Sequence, residues 1–215
     1  SVASAGDVNG DSYGDIIVGV SRSDIGGTNS GAAYIFHGAL TPDNISDATI
    51  FGVGNGDEFG SSVACAGDVN GDGFSDVIAG SCFNDQYGSD AGMVRISLGG
   101  NPNSGTSFYG ENTDDWFGKS VASAGDVNGD GFSDIIVGSP FNDAGGNNAG
   151  RSYIYFGGTS LFINTAPDIV MTGKPVDQFG WAVANAGDFN GDGLSDPLVG
   201  AYLNSQSAPN AGKGY

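Results

Sequence analysis

Asp126-Val-Asn-Gly-Asp-Gly-Phe-Ser-Asp134 is crowded with oxygen-bearing side chains, and the chain uses it again and again. The other copies are Asp7-Val-Asn-Gly-Asp-Ser-Tyr-Gly-Asp15, Asp68-Val-Asn-Gly-Asp-Gly-Phe-Ser-Asp76 and Asp188-Phe-Asn-Gly-Asp-Gly-Leu-Ser-Asp196. Their first residues lie 61, 58 and 62 positions apart. Self-similarity at such a period marks a repeat architecture, in which each unit buries its core against a neighbour.

The spacing within the stretch is that of a Ca²⁺ loop. Calcium is a hard cation that takes six to eight oxygens. Positions one, three and five supply side-chain oxygens: Asp7, Asn9 and Asp11; Asp68, Asn70 and Asp72; Asp126, Asn128 and Asp130; Asp188, Asn190 and Asp192. Position seven is expected to supply a backbone carbonyl, from Tyr13, Phe74, Phe132 and Leu194. Position nine closes each set with Asp15, Asp76, Asp134 or Asp196. Gly at position six permits a sharp turn at positive φ, but the first copy has Ser12 there, so a strained turn is expected in it. Asp, Asn and Gly also make ordinary turns. A turn does not, however, require every ligand position to be filled four times over. The expectation is about four Ca²⁺ per chain.

The composition agrees. The chain has 215 residues and a formal net charge of −19, with 25 acidic and six basic residues. Twelve of the 25 acids lie in the four loops, and four bound Ca²⁺, adding eight positive charges, would bring −19 to −11. Scattered Lys and Arg exclude a phosphate-reading surface, so no nucleic-acid partner is expected. The longest apolar runs, such as Ile16-Ile-Val18, are too short to span a bilayer. The chain opens at Ser1 in mid-repeat, with no leader segment visible.

Moving outward from the loops, a small-residue strand precedes each (Val2–Ala5, Val63–Ala66, Val121–Ala124, Val183–Ala186) and an apolar strand follows (Ile16–Val18, Val77–Ala79, Ile135–Val137, Pro197–Val199). A third strand is expected at Gly31–Phe36, Gly92–Ser97, Gly150–Tyr155 and, in part, Gly212–Tyr215. A fourth is expected near Thr49–Phe51, Ser107–Tyr109 and Ile169–Met171. Four short strands per unit make an antiparallel meander. Small residues suit a first strand crowded near a central axis. A continuous apolar run suits a second strand covered on both faces. The expected fold is therefore all-β: a β-propeller of four-stranded blades of about 60 residues. Units fall at 1–60, 61–118, 119–180 and, incomplete, 181–215. A calcium-binding β-helix has a far shorter repeat. A helical EF-hand needs Glu at position twelve, where Ala79, Val137 and Val199 stand, and a dockerin needs a helix there as well.

Loop, flanks and period together resemble the FG-GAP repeats of integrin α-subunit propellers. Phe59-Gly60, Phe117-Gly118 and Phe179-Gly180 carry the first half of that signature; Gly80-Ser-Cys82, Gly138-Ser-Pro140 and Gly200-Ala-Tyr202 approximate the second. The resemblance implies a propeller, usually of seven blades, with calcium in loops at one face. Such modules occur in adhesion receptors, in secreted and surface proteins of microbes, and attached to enzymes. Three and a fraction units leave three assemblies open: part of a larger propeller, a ring of several chains, or an open array.

Few residues suggest chemistry beyond metal binding. His37 has no nucleophile motif beside it, so a structural role is expected and no enzyme is read. Cys65 and Cys82 occur together in one unit and suggest a disulfide, with two buried thiols as the alternative. Asn44-Ile-Ser46 is a glycosylation acceptor if the chain is exported by a eukaryote. Trp116 and Trp181 flank Phe-Gly pairs and serve packing or sugar stacking. The leading expectation is an extracellular, secreted or cell-surface, calcium-binding module for adhesion, surface or filament assembly. Its partners are a protein or glycan ligand, other copies of itself, or the rest of a larger propeller. The alternative is a carbohydrate-binding propeller, lectin-like or joined to a glycan-active enzyme.

Overall fold

The computed structural model describes residues 1–159 and 165–215. The first blade is β1 (Val2–Gly6), β2 (Asp15–Val20), β3 (Ala32–Phe36) and β4 (Ala48–Phe51). The second is β5 (Ser62–Gly67), β6 (Asp76–Ser81), β7 (Met93–Leu98) and β8 (Asn101–Tyr109). The third is β9 (Ser120–Gly125), β10 (Asp134–Ser139), β11 (Arg151–Tyr155) and β12 (Ile169–Thr172). The fourth holds β13 (Phe179–Asn185), β14 (Pro197–Ala201) and the short β15 (Lys213–Gly214). Each sheet is an antiparallel meander in chain order. Among the described residues there is no helix. The fold is a β-propeller of four blades, as the repeat pattern requires.

The inner strands pack in series, β1 on β5, β5 on β9 and β9 on β13. Their Ala, Ser and Gly residues permit that approach. The core lies between blades rather than within them. One apolar cluster joins Ile78, Ile96 and Phe117 of the second unit to Val121, Ile135 and Tyr153 of the third. A second joins Ile17, Ile35 and Phe59 to Val77 and Met93.

Burial along the second strands follows from this. All six residues of β6 and of β10 are buried, since each has a blade on both sides. The expectation of a strand covered on both faces fails at β2, which alternates; Ile16 is 47% exposed while Ile17 is 0% exposed. In β14 the pattern is reversed, with Leu198 45% exposed and Val199 1%. Each of these strands has a neighbouring blade on one side only.

Each Phe-Gly pair is a seam. Phe59, Phe117 and Phe179 are buried, and each forms a parallel bridge to the glycine just before β3, β7 or β11: Gly31, Gly92 and Gly150. Phe117 N–H donates to Ala91 C=O at 3.0 Å. The glycine that follows, Gly60, Gly118 or Gly180, has φ of 81, 83 or 87° and sets its carbonyl against Gly19, Gly80 or Gly138 of the second strand one blade back. A side chain on that second-strand glycine would collide with the carbonyl.

The expected disulfide does not form: Cys65 and Cys82 are free thiols. The register sets Cys65 opposite Val77, whereas Cys82 lies just beyond the end of β6 with Sγ 3.8 Å from Ser61 Oγ. The offset along the hairpin is roughly 16 Å at the usual strand rise, beyond the reach of a disulfide. Burial pushes both thiols up in pKa.

Candidate metal centre

All twenty residues read as ligands fall where the first strand of a blade turns into the second, at one end of the blades. The turn begins at a glycine (Gly6, Gly67 or Gly125, φ +75 to +79°) that breaks the strand register. From there the chain wraps around its own position-one carboxylate. Gly129 N–H donates to Asp126 Oδ1 at 2.7 Å, Asp130 N–H to the same oxygen at 3.1 Å, and Gly131 N–H to Oδ2 at 2.9 Å. Asn128 Oδ1 accepts from Asp130 N–H and Asp130 Oδ1 from Phe132 N–H. The other three copies repeat these bonds around Asp7, Asp68 and Asp188.

Position nine does something the sequence did not announce. Asp15, Asp76 and Asp134 are buried, and each spans two segments. Asp76 Oδ2 accepts Val69 N–H at 2.9 Å and its Oδ1 accepts Gly99 N–H at 2.8 Å, just past the third strand. Asp15 holds Val8 and Gly38 in the same way, and Asp134 holds Val127 and Gly157. In the fourth copy Asp196 holds Phe189 N–H, and Asn190 Nδ2 reaches its Oδ1 at 3.3 Å. Burial raises Asp76 and Asp134 to about 6, against their backbone donors. The charges of Asp72 and Asp68, and of Asp130 and Asp126, add to the rise.

Among the described residues, no three acidic, His or Cys side chains converge at metal-holding distance. The donor chemistry nonetheless fits a hard cation. Every side chain at positions one, three, five and nine of the loops is a carboxylate or an amide. A carboxylate has about four lone-pair directions. Asp76, for example, uses two of them on backbone N–H groups. Ligands of oxygen alone select Ca²⁺ over Zn²⁺ or Cu²⁺.

The expected strain at Ser12 is present. Ser12 has φ 72°, where its counterparts Gly73, Gly131 and Gly193 have 89, 89 and 90°. A non-glycine residue there costs about 1–2 kcal/mol, partly offset by the greater freedom of glycine in the unfolded chain. Ser12→Gly is therefore expected to raise the melting temperature by about 2 °C. A lower midpoint by calorimetry would refute that strain.

At the opposite end of the blades, sequence reading missed a set of buried braces. Asn84 Nδ2 donates to Asp57 Oδ2 at 2.6 Å, Asn142 to Asp115 at 2.6 Å and Asn204 to Asp177 at 2.9 Å, each pair 27 residues apart. Burial raises the pKa of Asp57 and Asp115, and the Asn bond opposes it. The recurrent Asp two residues before each seam Phe was the available signal. Nearby, Phe83, Trp116, Phe141, Trp181 and Tyr202 form a row with ring centroids 4.5–6.1 Å apart. Lys119 Nζ sits 5.8 and 5.4 Å from the two Trp rings. His37 Nδ1 lies 3.8 Å from Asp47 and lines a cavity of about 350 Å³ with Tyr13, Ile16 and Pro42.

Blades hinged on acidic turns and sealed by Phe-Gly bridges define a repeat β-propeller. The chain belongs to the FG-GAP repeat family, whose model matches residues 1–36, 59–97 and 117–155. It is 32% identical over 225 aligned positions to integrin alpha pat-2 of Caenorhabditis elegans, covering 94% of this chain and 18% of that protein. To integrin alpha-PS2 of Drosophila melanogaster it is 30% identical over 221 positions, covering 94% and 15%. To integrin alpha-4 of Xenopus laevis it is 28% identical over 203, covering 90% and 18%. The chain thus spans less than a fifth of these curated relatives.

Proposed function

We propose that the chain is a calcium-loaded propeller segment of an extracellular adhesion or surface protein, without enzymatic activity of its own. The observation that carries this reading is the fourfold repetition of one hard-oxygen loop at the inner hairpin of each blade. Kinship with integrin alpha subunits supports the adhesive role. Asp7, Asn9, Asp11 and Asp15, with the Tyr13 carbonyl, would hold one ion. The corresponding residues of the other three loops would hold theirs. The cation would supply charge neutralisation, while the residues themselves fix the turn and tie it to the third strand. Partners are a protein or glycan at the cell surface, further blades, or other copies of the chain. No described helix is long and apolar enough to cross a membrane. Asn44, exposed between β3 and β4, would accept a glycan on export from a eukaryotic cell.

The Asp130→Ala variant tests the site assignment. Calorimetric titration is expected to show one fewer Ca²⁺ per chain than the parent. A parent that takes up no calcium refutes the reading.

The aromatic row across the far end favours a second reading, a glycan-binding surface, because ring faces stack on sugars. A glycan array without hits would eliminate it.

A further inference from the structure

The acidic loops touch one another. The position-eight N–H of each loop donates to the position-one carbonyl of the loop before it: Ser75 to Asp7 at 2.8 Å, Ser133 to Asp68 at 3.0 Å and Ser195 to Asp126 at 2.9 Å. Two further bonds reinforce the first joints, Gly100 N–H to Val8 C=O at 2.7 Å and Gly158 N–H to Val69 C=O at 2.8 Å. The position-seven side chain then covers the position-four glycine of the preceding loop. A methyl group placed on Gly10 would lie 2.6 Å from Phe74 Cε1, on Gly71 2.5 Å from Phe132 Cε1, and on Gly129 3.0 Å from Leu194 Cδ2.

We infer that the four loops load Ca²⁺ cooperatively along the array, with Phe74, Phe132 and Leu194 and the residues after them as positioning residues between neighbouring sites. This rests on the calcium reading above. Position eight stands between two proposed ligands, the position-seven carbonyl and the position-nine carboxylate. The group it bonds to belongs to a third ligand residue, position one of the adjacent loop. An ion that orders one loop therefore fixes a donor or an acceptor of the next. The next ion then meets a loop whose ordering cost is already partly met. Coupling falls off with distance, since loops one and three share no such bond among those described.

The test is a calcium titration of the whole chain, followed by the backbone amide signals of Gly10, Gly73 and Gly193. With Asp130→Ala, loops two and four are expected to weaken about fivefold or more, while loop one keeps its affinity. That pattern separates coupling from general loosening. Phe132→Ala retains every ligand oxygen and is expected to weaken loop two in the same way. Phe132→Leu, which copies position 194, is expected to restore it. Unchanged affinities at loops two and four in the Asp130→Ala protein overturn the inference and leave the calcium reading standing. A parent protein that binds no Ca²⁺ overturns both.

Discussion

Chelation is expected to lower the melting temperature of this protein by about 10–20 °C. Calcium sites in extracellular modules bind at about 10⁻⁴ to 10⁻³ M, and the expected shift takes the tight end of that range, about 10⁻⁴ M. At about 1 mM free Ca²⁺, each site then contributes about 1.4 kcal/mol by mass action, and four contribute about 6. For a chain of this size, 1 kcal/mol moves the midpoint by about 2–4 °C. The direction follows from charge as well as from ligation. Asp76 is buried and held between Val69 and Gly99, with the charges of Asp72 and Asp68 nearby. A divalent cation offsets that repulsion. Scanning calorimetry in excess calcium and in excess chelator measures the effect directly. Superimposable scans would sink the structural role given to the ion.

Phe117→Ala is the substitution with the largest expected cost. The ring is 1% exposed and lies in the cluster that joins the second and third units. It meets Tyr153 edge-on at a centroid distance of 5.3 Å. Truncating a buried Phe costs about 3–5 kcal/mol in transfer and cavity terms, which corresponds to roughly 10 °C or more in the midpoint. Because the ring bridges blades, the loss should also separate them. Repeat proteins owe their cooperativity to such interfaces, so the variant is expected to unfold over a broader range or in two steps. A sharp single transition within 3 °C of the parent would show that the seam is not what couples the blades.

Much of this architecture was legible because the repeat places one chemistry at one position. Small residues before the loops gave the inner strands, and apolar residues after them gave β6 and β10. What escaped was whatever depends on neighbours in space. Sequence cannot show that Ile16 faces outward while Ile135 is buried, because the two positions are chemically alike and differ in what stands beside them. Nor did it reveal the Asp115–Asn142 brace, whose partners are 27 residues apart with no local period to join them. The position-nine Asp was recognised as a ligand candidate, but its grip on the third strand was hidden, since Gly99 and Gly157 have no side chain to betray it. Cys65 and Cys82 misled because shared presence on one hairpin says nothing about register.

The seams have one more consequence. Phe59, Phe117 and Phe179 make the same bridge to Gly31, Gly92 and Gly150, so each joint uses the same two parts. A blade is thereby a modular piece. Duplicating or deleting one complete unit leaves every remaining joint with the partners it already uses. A slip of one residue within a unit is different in kind, because it turns each strand's inward residues outward. A whole blade can therefore be added or removed at its joints, whereas the differences among the 61-, 58- and 62-residue spacings must be taken up in the connections and not within the strands.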